Sequence, residues 1–157
     1  MIPQGTLAEK LRAGGAGIPG FYTQTGVGTV LQNGGFPIKY GSDGKTVAIS
    51  SPPKETKIFN GKEHLLEESI TGDYALIKAW RADESGNLQF RKSARNFNQD
   101  AATAGRVCIA EVEEIVPTGT IDPDHIHLSS VYVNRIVKAE DSTKRIEFRT
   151  IKTGEHH

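Results

Sequence analysis

Cysteine is nearly absent from this chain of 157 residues, where Cys108 stands alone. A single thiol cannot close an internal disulfide or build a thiolate metal site, so the fold must be held by burial. An excess of either charge is missing too, because 19 Lys and Arg face 19 Asp and Glu. That excludes a general basic field for nucleic acid and an acidic tail. Long apolar runs are also missing. The longest, Tyr74–Ile77 and Val107–Ala110, have four residues, against roughly 20 for a helix that crosses a bilayer. The N-terminus carries neither a basic region followed by an apolar stretch nor an Arg- and Ser-rich leader, so any targeting segment is expected to have been removed or never encoded. His156 and His157 follow no ligand pattern, and 153–157 reads as a linker or tag remnant.

Glycine is plentiful where the other types are scarce. Eight glycines fall between Gly14 and Gly35, a composition that suits tight turns or close backbone approach more than regular elements. Ahead of them, Thr6-Leu7-Ala8-Glu9 matches a capping box and predicts a short helix from Thr6, ended by Gly14-Gly15. Thr46–Ser50 alternates and stops at Ser51-Pro52-Pro53, as an edge strand would. Lys54–Phe59 and Lys62–Glu68 flank Asn60-Gly61, a dipeptide that accepts positive φ at both central positions of a hairpin turn. Tyr74–Trp80 and Leu88–Lys92 read as a second hairpin, Asn98–Gly105 as an Asn-capped helix, and Val107–Val116 as a β-branched strand. Val131–Ala139 and Arg145–Ile151 read as extended. The expected class is strand-rich α/β, a mixed sheet with short helices and much antiparallel pairing in the middle.

Several constellations have both a chemical and a bland reading. Gly15-Ala16-Gly17-Ile18-Pro19-Gly20 fits the dinucleotide pattern, yet a helix precedes it where a strand is needed, and Pro19 removes an amide. A nucleotide-binding module built on Gly15–Gly20 therefore stands as an alternative, beside a tight turn under a sheet edge. His125 and His127, two apart, would share one face of a strand and grip a metal there. No third ligand lies at a recognisable distance, and a solvated loop is the plainer account, so no metal is assigned. Cys108 sits in an apolar run with no base beside it and reads as a buried small hydrophobe. Glu67, Glu68, Glu111, Glu113 and Glu114 read as charges on the wet faces of strands. The cluster Arg91–Asn98 reads as a solvated strand end and helix cap, or as a short basic patch beside an aromatic.

Taken in order, eight motifs cease to be anonymous. Pro3-Gln4-Gly5-Thr6-Leu7-Ala8-Glu9, Gly14-Gly15-Ala16-Gly17-Ile18-Pro19, Phe21-Tyr22-Thr23, Gly26-Val27-Gly28-Thr29, Ile70-Thr71-Gly72-Asp73, Lys78-Ala79-Trp80-Arg81-Ala82-Asp83, Ala94-Arg95-Asn96-Phe97-Asn98 and Glu111-Val112-Glu113-Glu114-Ile115-Val116 resemble the family I coenzyme A transferases. The resemblance implies an open α/β domain, with 1–152 as the later part of the N-terminal half of such an enzyme. It implies transfer of coenzyme A from succinyl-CoA to acetoacetate through a glutamyl-CoA thioester. Coenzyme A is then substrate and transient adduct, with no permanently bound cofactor. The nucleophilic glutamate belongs to a Ser-Glu-Asn-Gly motif in the other half of such enzymes, so no glutamate here takes that role.

By the same resemblance Gln4 donates to the oxyanion. A side-chain amide can do so without titrating, and a capping box would hold it still. Gly14, Gly15 and Gly17 would let the chain pass close to the acyl site. Arg95, Asn96 and Asn98 would support a carboxylate or brace their loop. Expected partners are a preceding segment and the C-terminal catalytic half, acyl-CoA and 3-oxoacid substrates, and a second copy of the parent enzyme, without nucleic acid or membrane. Asn33–Pro53 and the charged tail after Lys138 point toward the fused mitochondrial form, hence a parent enzyme in the mitochondrial matrix. A non-catalytic interaction domain on the same scaffold remains an alternative.

Overall fold

The computed structural model describes residues 2–142. Chain order is α1 (Gln4–Gly15), β1 (Gly20–Thr23), α2 (Val30–Asn33), β2 (Pro37–Tyr40), β3 (Val47–Ser50), β4 (Thr56–Phe59), β5 (Lys62–Glu68), β6 (Gly72–Asp83), β7 (Leu88–Gln89), α3 (Asn98–Ala104), β8 (Gly105–Val116) and β9 (Arg135–Lys138). The strand β1 and the single turn α2 both lie inside the glycine-rich stretch expected to hold no regular element. Thr29 explains α2, since its hydroxyl accepts from Leu31 N as an N-cap.

The Asn60-Gly61 turn joins β4 to β5 with φ of 51° and 74°, and the ladder closes on Phe59 opposite Lys62. That is the two-residue turn whose twist suits a hairpin. β1 adds antiparallel to the other side of β5, giving the order β1-β5-β4. β2 and β3 form a separate irregular ribbon. The largest sheet runs β7-β6-β8-β9 and is mixed. Its long pairing, β6 with β8, is parallel, as is β8 with β9. The antiparallel expectation fails there because α3 carries the chain back across the sheet before β8 begins. The proposed second hairpin shrinks to β6 against the two residues of β7, after which Lys92–Arg95 turns as a 3-10 helix.

Alternation along β6 buries Ala75, Ile77 and Ala79 and leaves Tyr74, Leu76 and Lys78 outward. The inward set packs with Ala82, Leu88, Phe90, Ala102, Cys108, Ala110, Val112 and Leu128 as one cluster. Cys108 is fully buried, and burial pushes its thiol up from the ordinary range.

Both predicted helix caps are corrected. α1 starts two residues early, with Pro3 at the cap position and no side-chain cap bond. Thr6 therefore lies inside the first turn, and Glu9 turns to Arg12. α3 begins at Asn98 itself, whose amide side chain reaches back to Ala94 O. The extended reading of Val131–Ala139 narrows to β9, preceded by a 3-10 turn over Ser130–Tyr132. The predicted strand Arg145–Ile151 lies outside the described residues.

Candidate active site

Gln4 is the first residue of α1 and is exposed. Leu7 N donates to Pro3 O at 2.9 Å, so the amides of Gln4, Gly5 and Thr6 precede the first intrahelical bond. No side chain caps them, and no acidic residue occupies the first turn. The positive end of the helix dipole is therefore left open. A cleft of about 400 Å³ adjoins it, lined by Gly5, Thr6, Glu9, Phe21, Tyr22, Thr23 and Thr25. Glu9 is held by Arg12 at 2.7 and 2.8 Å, and that hydrogen bonding keeps its carboxyl below the usual range.

Gly14 and Gly15 lie about 15 Å farther along the helix at 1.5 Å per residue. A Cβ at Gly14 would fall 1.9 Å from Ile70 O, and one at Gly15 would fall 2.3 Å from Thr103 Oγ1. Packing against the β5–β6 connection and α3 accounts for both glycines. Ile70 N also donates to Lys10 O at 2.9 Å, which fastens the helix there. Gly17 is exposed, with φ of 72° and open space around it. The Gly15–Gly20 stretch runs from a helix into a strand, the reverse of the order that would aim helix amides at a pyrophosphate.

Asn96 and Asn98, but not Arg95, line a different, smaller cleft of about 170 Å³ with Trp80 and Arg91. Arg95 donates twice to Gln99 Oε1, Asn98 Nδ2 donates to Ala94 O and Asn96 Oδ1, and Asn98 Oδ1 accepts from Lys78 N. These bonds tie the 3-10 turn to α3 and β6. Asn96 holds a positive φ of 24°. The histidines do not alternate along a strand, since His125 ends a 3-10 turn. His127 Nδ1 accepts Phe90 N at 2.9 Å, and its ring stacks on Phe90. Burial, with the nearby Arg95 and His125 charges, lowers its pKa and favours the neutral ring that bond requires.

Glu67 was expected on a wet face and is instead buried. Its Oε2 lies 2.9 Å from Lys10 Nζ and 2.6 Å from Lys54 Nζ. Burial alone would raise this carboxyl, but the two lysine hydrogen bonds outweigh it and the net shift is downward. The partners lie on α1 and after Pro53, so no local pattern announced them. The trio edges an apolar cleft of about 530 Å³ lined also by Leu31, Phe36 and Ile38.

Residues 1–139 match the family described as Coenzyme A transferase. The chain belongs to the coenzyme A transferase family. It is 55% identical over 153 residues to one of the subunits of the succinyl-CoA:3-ketoacid coenzyme A transferase of Xanthomonas campestris, covering 98% of this chain and 55% of that one. It is 52% identical over 151 residues to the human mitochondrial succinyl-CoA:3-ketoacid coenzyme A transferase 2, covering 96% of this chain and 29% of that one. The chain thus spans about half the length of the bacterial relative, and less of the human one. The fold matches an acyl-CoA transferase of Escherichia coli solved as its thioester complex with CoA, at a TM-score of 0.71 and 24% identity, over 90% of this chain and 28% of that one. The bacterial and mitochondrial relatives both align over nearly the whole chain.

Proposed function

We propose that the chain is the part of a 3-oxoacid coenzyme A transferase that stabilises the oxyanion through Gln4, while the attacking glutamate comes from the remainder of the enzyme. The observation that carries this reading is the identity of more than half of the residues, over nearly the whole chain, to transferases named for succinyl-CoA and 3-ketoacids. Gln4 supports it by standing exposed at an uncapped helix start beside an open cleft. The bacterial relative is named as a single subunit of its transferase, which favours a catalytic half as partner. A mitochondrial-matrix location has the mitochondrial relatives behind it, and bacterial relatives match equally well.

On this reading the glutamate carboxylate attacks the thioester carbonyl of succinyl-CoA, and the carbonyl oxygen takes up the negative charge. Collapse expels the CoA thiolate and leaves a mixed anhydride. The thiolate then attacks the glutamyl carbonyl, releasing succinate and forming the enzyme thioester. Acetoacetate repeats the sequence in reverse, so no net proton, electron or metal is consumed. Each addition builds an alkoxide-like oxygen, and Gln4 Nε2 donates to it without changing charge.

The test is Gln4→Ala in the assembled enzyme, assayed for exchange between succinyl-CoA and acetoacetate. Losing one such donor removes about 2.7–4 kcal/mol of transition-state stabilisation, so the rate is expected to fall about a hundredfold or more. An unchanged rate removes Gln4 from the mechanism. The chain without its partner half is expected to be inactive in the same assay.

A further inference from the structure

Lys10 is fastened to the neighbours of α1 by two separate bonds. Its Nζ donates to Glu67 Oε2 at 2.9 Å, and its carbonyl oxygen accepts from Ile70 N at 2.9 Å. Glu67 lies on β5, the central strand of the order β1-β5-β4, and its side chain is 3% exposed. A carboxylate held in the middle of a paired sheet and shielded from water makes a firm anchor. The start of the helix has less to hold it. Its first turn carries no side-chain cap, the Thr6 hydroxyl is without a partner among the described residues, and Glu9 bonds Arg12 within the same helix. Gln4 stands one and a half to two turns before Lys10, about 9 Å along the axis at 1.5 Å per residue. A shift or rotation of α1 at Lys10 is therefore carried to Gln4. Lys54 meets the same carboxylate oxygen at 2.6 Å, but it belongs to the segment after Pro53 and not to α1.

We infer that Glu67, acting through Lys10, is a positioning residue for Gln4: it fixes the height and rotation of α1, and so the place of the carboxamide that meets the oxyanion. The assignment rests on the transferase reading above. A donor aimed at a transition state tolerates little displacement, and a misplacement of about 1 Å can cost on the order of a hundredfold in rate. The two lysines share one carboxylate, so removing either leaves a neutral pair behind. Lys10→Met and Lys54→Met thus change the charge equally, and only the first releases the helix.

The experiment places Lys10→Met, Lys54→Met and Glu67→Gln in the assembled enzyme, each with Gln4 intact and with Gln4→Ala. Exchange between succinyl-CoA and acetoacetate is followed in the steady state, at a temperature below the unfolding transition of every variant. With Gln4 intact, Lys10→Met and Glu67→Gln are expected to lower kcat about tenfold while each KM stays within about twofold, the pattern of an interaction made only in the transition state. Lys54→Met should lower Tm about as much as Lys10→Met, yet hold kcat within about twofold. In the Gln4→Ala background Lys10→Met should cost less than about a further twofold, because the group it displaces is gone. Should Glu67→Gln fail to fold, the two lysine variants decide the question. An unchanged kcat in Lys10→Met overturns the assignment. So does an equal loss in Lys54→Met, which would mean general loosening, or a full tenfold loss that persists with Gln4→Ala. Those three results strike the positioning role alone, whereas Gln4→Ala at the wild-type rate sinks the oxyanion reading and the positioning role with it.

Discussion

Replacing Glu67 with Gln keeps the side-chain shape and removes the one charge that Lys10 and Lys54 share. The Glu67 side chain is 3% exposed, Lys10 13% and Lys54 28%. Removing one member of a buried ion pair costs about 3–5 kcal/mol, because the remaining charge is left without compensation. Lys54 keeps some contact with water, which places the expected loss at the lower end, about 3 kcal/mol. In a domain of this size each kcal/mol moves Tm by about 2–4 °C, so Glu67→Gln should melt roughly 6–12 °C lower. Urea unfolding followed by far-UV circular dichroism measures the free energy directly. The pH dependence has a fixed sign. Burial opposes ionisation of Glu67 and the lysine bonds overcome it, so its folded pKa lies below the unfolded one. That stabilisation is complete above the ordinary carboxylate value of about 4.3 and is lost as pH falls through the lower folded value. The gap between wild type and Glu67→Gln should therefore be full at pH 7 and shrink under acid. A loss below about 1 kcal/mol at pH 7, or a gap unchanged down to pH 2, would refute the reasoning.

Two glycines on α1 should respond with opposite signs. Gly14→Ala drives a Cβ into a backbone carbonyl oxygen at 1.9 Å and should cost about 2 kcal/mol or more, whereas Gly5→Ala meets open space and should gain about 0.5–1 kcal/mol. Equal signs in urea unfolding would contradict that contrast. The outward face of β6 exposes Tyr74 at 65% and Leu76 at 78%, with Val137 beside them on the same sheet. The isolated chain should self-associate through this patch, and Leu76→Lys should reduce the apparent mass in light scattering; a monomer at high concentration before substitution would count against it.

The sequence made some of this legible for local reasons. Asn60-Gly61 identified its hairpin because the turn chemistry is confined to two residues. Val107–Val116 read as a strand from β-branching, and Cys108 as buried from its apolar run. What stayed hidden depended on distant partners. The capping box at Thr6 matched by letters, yet Pro3 moved the helix start and turned Thr6 inward, where its hydroxyl finds no acceptor. Glu67 looked like a surface charge until Lys10, far away in sequence, came to lie against it. For Arg95, Asn96 and Asn98 the letters admitted ligand support but leaned toward bracing of their loop. The bonds to Gln99, Ala94 and Lys78 supply the bracing geometry.

The ladder between β6 and β8 joins residues a constant distance apart, as Lys78 and Glu111 are, separated by 33 positions. On a ribosome adding roughly 5–20 residues per second, β6 emerges about two to seven seconds before its neighbour exists. Through that interval its central edge has only the two residues of β7 to pair with on the other side. Topology thus makes the timing of synthesis, and whatever shields a nascent edge, part of what this fold requires.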